Sequence, residues 1–88
     1  MEITQTKIFH REKEGARLKA FVDFIIDDCF IIRGAKIIEG NKRLFVAMPS
    51  KLNKEGKEEN IVFPLNKETR DKIENFILNQ YNEEIKEK

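Results

Sequence analysis

LKAFVDFIIDDCFIIRGAKIIEGNKRLFVAM, residues 18–48, contains three apolar stretches separated by two short sequences that favour turns. In the first stretch, residues 18–26, every even position is apolar, whereas the odd positions mix apolar and charged side chains. This alternation is typical of a strand with one fully buried face and one mixed face. Asp27 and Asp28 follow and suit a tight turn. Residues 18–26 therefore predict a strand that reverses direction at the aspartates.

The next two stretches extend the same antiparallel meander. Residues 30–38 are rich in β-branched and aromatic side chains and carry Gly34 in the middle, which predicts a strand with a kink or bulge there. The Gly40-Asn41 pair favours a hairpin turn, and residues 43–48 then predict the next strand.

Two further strands flank this meander. Residues 2–9 alternate between apolar and polar side chains and precede a charged loop at residues 11–17, so they predict a first strand. After a predicted loop at residues 49–58, the stretch NIVFPL at residues 60–65 predicts a short fifth strand that ends near Pro64, because proline cannot donate to a sheet ladder.

The C-terminal part of the chain predicts one amphipathic helix. Asn66 is a favourable N-cap, and the apolar side chains after it recur at spacings of three and four residues. These side chains are Ile73, Phe76, Ile77, Tyr81 and Ile85. The expected architecture is a single α+β domain over residues 1–88, with an antiparallel sheet of about five strands in residues 1–65 and a helix in residues 66–86.

A single helix is too narrow to cover a sheet of this width. Both faces of the predicted sheet carry apolar side chains, for example Phe21 and Phe45 on one and Val22 and Val46 on the other. We therefore expect a homodimer, formed by sheet stacking or by strand pairing across a two-fold axis. The alternative is a sheet that curls into a half barrel and covers itself.

The composition favours neither an enzyme nor a membrane protein. No apolar run approaches the length that spans a bilayer, and the first residues lack the pattern of a signal peptide, so we expect a cytoplasmic protein. The only cysteine, Cys29, and the only histidine, His10, do not supply a disulfide, a zinc site or a nucleophile with its base. We expect a surface position for His10, and no cofactor, no metal and no small-molecule substrate.

The charge of +1 conceals a basic central segment. Residues 33–57 contain seven basic and two acidic side chains, a net charge of +5. The cations that we expect to meet a phosphate backbone lie at the start of the fourth strand, in the loop after it, and in the first turns of the helix, where free backbone N–H groups also attract anions. They are Arg43, Lys51, Lys54, Lys57, Lys67 and Arg70. Nearby Glu68, Asp71 and Glu74 are expected to lower the potential of this patch.

Two stretches, GNKRLFVAMPSK at residues 40–51 and NIVFPLNKETRDKIENFILNQY at residues 60–81, resemble the stage V sporulation protein G family of septation and sporulation regulators. The resemblance implies a dimeric α+β protein that binds specific DNA sites, also binds RNA, and modulates gene expression. It also implies nucleic-acid contacts at Ser50, Lys51 and Arg70. A glycine is common in that family where this chain has Arg43.

Two classes of function remain open on the sequence alone. The first is a nucleic-acid-binding regulator with the site Arg43, Ser50, Lys51, Lys54, Lys67 and Arg70. The second is a homodimeric adaptor that recruits another protein through a strand edge or the helix, with its lysines serving only solubility. Salt-dependent binding to nucleic acid would distinguish the two classes.

Overall fold

A four-stranded antiparallel sheet forms the body of the protein, for which a computed structural model describes residues 1–11 and 13–86. The strands follow chain order across the sheet, so that each one pairs with its sequence neighbours. This meander confirms the expected α+β fold with an antiparallel sheet. The strands are β1 at Ile3–His10, β2 at Leu18–Ile26, β3 at Phe30–Glu39 and β4 at Leu44–Ala47.

The predicted turn between β2 and β3 and the predicted bulge in β3 are both confirmed. Asp27 and Asp28 have φ values of 51° and 54°, and the Cys29 backbone N–H donates to the Ile26 carbonyl at 3.0 Å, so the two aspartates form a tight turn in the left-handed region. At Gly34, with φ of 89°, the register between β2 and β3 shifts by one residue. The shift is a β-bulge, and Gly34 adopts its backbone conformation without the clash that a side chain would cause.

The predicted fifth strand at residues 60–65 is wrong. The structure instead has a separate two-stranded sheet, with β5 at Ser50–Leu52 and β6 at Glu58–Asn60. Most of the predicted loop at residues 49–58 therefore belongs to a hairpin. In its turn, the Asn53 side chain accepts hydrogen bonds from the backbone N–H groups of Glu55 (2.9 Å) and Lys57 (3.0 Å). A side-chain cap of this kind stabilises a tight turn.

The helix α1, Lys67–Lys86, covers one face of the four-stranded sheet and confirms the predicted helix. The Asn66 side chain accepts the Thr69 backbone N–H at 2.8 Å, as an N-cap does. The buried helical side chains Ile73, Ile77 and Tyr81 complete a core with the inward side chains of the sheet. The sheet contributes Ile3, Ala20, Val22, Phe24, Ile32, Ala35, Ile37, Val46 and Met48.

Polar contacts hold both ends of α1 to the first strand region. Near its start, Lys72 Nζ lies 2.8 Å from the Met1 carbonyl and 3.0 Å from Glu2 Oε1. Near its end, His10 Nε2 lies 2.8 Å from Glu84 Oε1, and the His10 ring stacks on Tyr81 with ring centroids 5.4 Å apart. The surface position expected for His10 is therefore wrong, since its side chain is 17% exposed and attaches the helix to the sheet.

The face of the four-stranded sheet that lies away from α1, here called the outer face, is open. Phe9, Ile31 and Phe45 project from it with 44%, 50% and 36% of their surface exposed. The sheet therefore does not curl into a half barrel that covers its own apolar side chains. Within residues 1–11 and 13–86, no helix combines the length and apolar character needed to cross a membrane.

Candidate nucleic-acid interface

The hairpin of β5 and β6 holds three of the six predicted site residues. Ser50 and Lys51 lie on β5, and Lys54 lies in the turn that follows. The hairpin starts at buried Pro49, whose carbonyl oxygen accepts the Ile61 backbone N–H at 2.9 Å. Met48 and Pro49, which follow β4 directly, are buried and fix the base of the hairpin. The basic side chains of the hairpin project beyond this base.

The start of α1 holds two more of the predicted residues, Lys67 and Arg70, both of which are exposed. Lys67 Nζ forms an ion pair with Asp71 Oδ2 at 2.6 Å. The two residues are four positions apart on the helix, and both side chains are at least half exposed. Such an exposed pair is weak, so a phosphate can compete for Lys67. Arg70 adjoins a small cavity beside Pro64 and Ile73.

A short connecting segment, residues 61–66, joins the hairpin to the start of α1. The connecting residues Val62, Phe63 and Pro64 line the same apolar groove as Thr69 and Ile73 of the helix. The cations Lys51, Lys54 and Arg70 therefore project from two elements that are linked by a segment packed against the helix. Within the described ranges, none of these three side chains forms an ion pair.

Arg43, the sixth predicted residue, has a partner that sequence reasoning missed. Its Nη1 lies 2.6 Å from Oε1 of Glu74, whose side chain is only 11% exposed. Glu74 was expected to weaken the basic patch, but it lies on the buried side of α1 and is neutralised by Arg43. The structure thus ties Arg43 to the helix, whereas Lys51, Lys54 and Arg70 remain available for a ligand.

The outer face of the sheet carries a second set of basic and aromatic side chains that sequence reasoning did not single out. Lys7, Phe9 and Phe21 are among them, and their signal in the sequence is the alternation of polar or charged with aromatic side chains along β1 and β2. Cys29 is exposed and has no disulfide. Among residues 1–11 and 13–86, no group of three His, Cys, Asp or Glu side chains is arranged to hold a metal ion.

Comparison with known proteins identifies the family. The family model for SpoVG matches residues 1–83. The chain is 45% identical to the "Putative septation protein SpoVG" of Anaeromyxobacter sp. (strain Fw109-5) over 86 residues, which cover 98% of this chain and 87% of that protein. It is 46% identical to the protein of the same name from Agathobacter rectalis over 85 residues, covering 97% of both chains. Because the match extends over nearly the full length at this identity, the chain belongs to the SpoVG family.

Proposed function

We propose that this protein is a cytoplasmic nucleic-acid-binding regulator that binds specific DNA sites and RNA and modulates gene expression linked to septation and sporulation, without catalysing a reaction. The observation that carries the proposal is the set of cations Lys51, Lys54 and Arg70, which form no ion pair among the described residues and lie on two elements joined by a short segment. The septation role follows the name of its relatives.

Phosphate contacts by Lys51 and Lys54 would position the protein on a duplex, and a different group would have to read the sequence. Asn66 is unsuited to reading bases, because its side-chain oxygen already caps the helix. Thr69 is half-buried beside the connecting segment. Arg70, exposed in the first turn, is therefore the side chain best placed to reach a base edge in a groove.

Replacing Lys51 with alanine should weaken binding to a mixed-sequence DNA duplex about tenfold and reduce its salt dependence, whereas Arg70→Ala should relax the preference at one base position. A dimer that makes about six phosphate contacts has a slope of log K against log salt near −5, and the loss of one contact per subunit reduces the slope by about 2. Fluorescence anisotropy across a salt series measures both quantities. Lys86→Ala, which removes an exposed charge from the far end of α1, is the matched control and should change neither.

The adaptor class is the second candidate, and one observation favours it. Apolar side chains around the hairpin are unusually exposed: Leu65 is 90% exposed, Leu52 67% and Phe63 53%. Exposed apolar surface of this kind marks interaction sites. Binding that ignores salt and survives both Lys51→Ala and Arg70→Ala would reject the nucleic-acid proposal and favour the adaptor.

We further propose that a second copy of the chain covers this apolar hairpin region. A two-stranded hairpin is marginally stable alone, and pairing with its symmetry mate would bury Leu52, Phe63 and Leu65 and bring two basic hairpins side by side. The outer face of the sheet is less suited to self-association, because it carries mainly positive charge.

Leu65→Ser should therefore raise the dimer dissociation constant at least about tenfold, since it removes an apolar side chain from the centre of the interface. Sedimentation velocity over a concentration series measures the change. Ile85→Ser is the matched control, because Ile85 is also an exposed apolar side chain but lies near the end of α1, far from Leu65 in the sequence. This change should leave the dimer dissociation constant unchanged. A wild-type monomer at all concentrations would refute the dimer, and an unchanged constant for Leu65→Ser would refute this interface.

A further inference from the structure

The outer face of the sheet presents two aromatic rings side by side. Phe9 of β1 lies directly opposite Phe21 of β2 in the strand register. Phe9 is 44% exposed and Phe21 is half-buried, so the pair is open on the side away from α1. Rings held at neighbouring positions on a rigid sheet offer flat apolar surfaces at which a planar ligand can stack.

One cation lies over the face of each ring, so a stacking base would have to displace it. Lys7 Nζ lies 5.2 Å from the centre of the Phe9 ring, and Arg11 Cζ lies 5.9 Å from the centre of the Phe21 ring. Lys36 of β3 is directly opposite Phe21 on its other side. Within the described residues, Lys7, Arg11 and Lys36 form no ion pair. Three positive charges thus lie next to two aromatic rings.

A groove of about 360 Å³ adjoins the aromatic pair. Its polar side chains include Gln5, Asp23 and Arg33, and its walls include Phe9 and Ile31. Amide, carboxylate and guanidinium groups can donate to or accept from the edge of a nucleobase. The groove therefore combines stacking surface, hydrogen-bonding groups and positive charge.

We propose that this outer face binds single-stranded nucleic acid, with bases stacked on Phe9 and Phe21 and phosphates held by Lys7, Arg11 and Lys36. Only an unpaired strand can offer the faces of its bases, since those of a duplex are stacked inside it. The surface is separate from the duplex-binding cations of the hairpin and helix start. It adds to the proposed function a distinct mode for single strands.

The charge of the face favours a nucleic acid over a second copy of the chain. Among the described side chains that border it, Lys7, Arg11, Arg33 and Lys36 are basic and Asp23 is acidic. Stacking two such faces would oppose like charges and remove them from water without partners. A polyanion instead neutralises them and releases counterions.

The test measures anisotropy of a labelled 12-nucleotide oligouridine and of a mixed-sequence DNA duplex with the same proteins. Phe9→Leu keeps an apolar side chain but removes the aromatic ring. It should weaken binding of the single strand about tenfold and leave duplex binding within twofold. Phe9→Trp, which keeps an aromatic ring, should retain single-strand binding, and Lys7→Ala should weaken it severalfold and lower its salt dependence. Lys51→Ala should show the opposite selectivity, with the larger loss on the duplex.

Three outcomes would overturn the proposal, and each is distinct from failure of the duplex site. One is that the wild-type protein does not bind the single strand at low salt. Another is that Phe9→Leu, shown by circular dichroism to be folded, binds the single strand as tightly as the wild type. The last is that Phe9→Leu weakens dimerisation in sedimentation velocity, because the face would then belong to a second copy.

Discussion

Replacing Phe24 with alanine should lower the free energy of unfolding by about 3–5 kcal/mol, the cost of removing a large aromatic side chain from a packed core. Phe24 is completely buried and lies on the inward face of β2, between Thr6 of β1 and Ile32 of β3. A domain of this size has an unfolding free energy of about 5–15 kcal/mol, so the loss is a large share of the total stability. Urea unfolding followed by circular dichroism measures the loss.

Phe30→Ala is the matched control, because Phe30 is the same residue type on the adjacent strand but is 68% exposed. It should change the unfolding free energy by no more than about 0.5 kcal/mol. A cost below about 1 kcal/mol for Phe24→Ala would contradict the packing of α1 on the inner face. It would mean that the contacts between helix and sheet contribute little to stability.

The long periodic segments of this fold are predictable from the sequence. The strand at residues 18–26 and the helix after Asn66 were predicted with the bounds that the structure has, within one residue. Both are long enough for the alternation of two, or the spacing of three and four, to repeat several times. Each also has one boundary at a residue with its own backbone preference: the strand ends at the Asp27 turn, and the helix begins at the Asn66 cap.

The hairpin of β5 and β6 was not predictable in the same way, because each strand has three residues and neither shows a repeated pattern. Its position depends on the Asn53 cap and on the hydrogen bond from the Ile61 backbone N–H to the Pro49 carbonyl. The alternation in residues 60–65 resembled a strand. Because Ile61 and Leu65 are exposed, the alternation in residues 60–65 does not reflect burial of one face of a strand.

The candidate site was predictable where it depends on local sequence and not where it depends on tertiary pairing. Lys51 and Lys54 follow a strand and lie in the hairpin, so they project from the surface as their sequence context indicates. The role of Arg43 depends on Glu74, 31 residues away in the sequence. A count of charges along the chain treats that pair as two independent surface charges, although the structure brings them into contact.

Arg43→Ala should lower the free energy of unfolding by about 2 kcal/mol, because it leaves the buried Glu74 carboxylate without its cationic partner. Glu74→Gln should cost less than about 1 kcal/mol, since an amide oxygen can still accept from Arg43 and the exposed guanidinium is hydrated. The double variant Arg43→Ala/Glu74→Gln should therefore be more stable than Arg43→Ala alone. Urea unfolding of the four proteins completes the double-mutant cycle.

Nucleic-acid binding by the same variants separates a structural role of Arg43 from a phosphate contact. If Arg43 acts only through Glu74, folded Arg43→Ala at low temperature should bind the duplex with the salt slope of the wild type. A phosphate contact would instead reduce the slope by about 2 in a dimer, as expected for Lys51→Ala. The ion pair at 2.6 Å leads us to expect the unchanged slope. A reduced slope, together with no rescue of stability by Glu74→Gln, would return Arg43 to the nucleic-acid site.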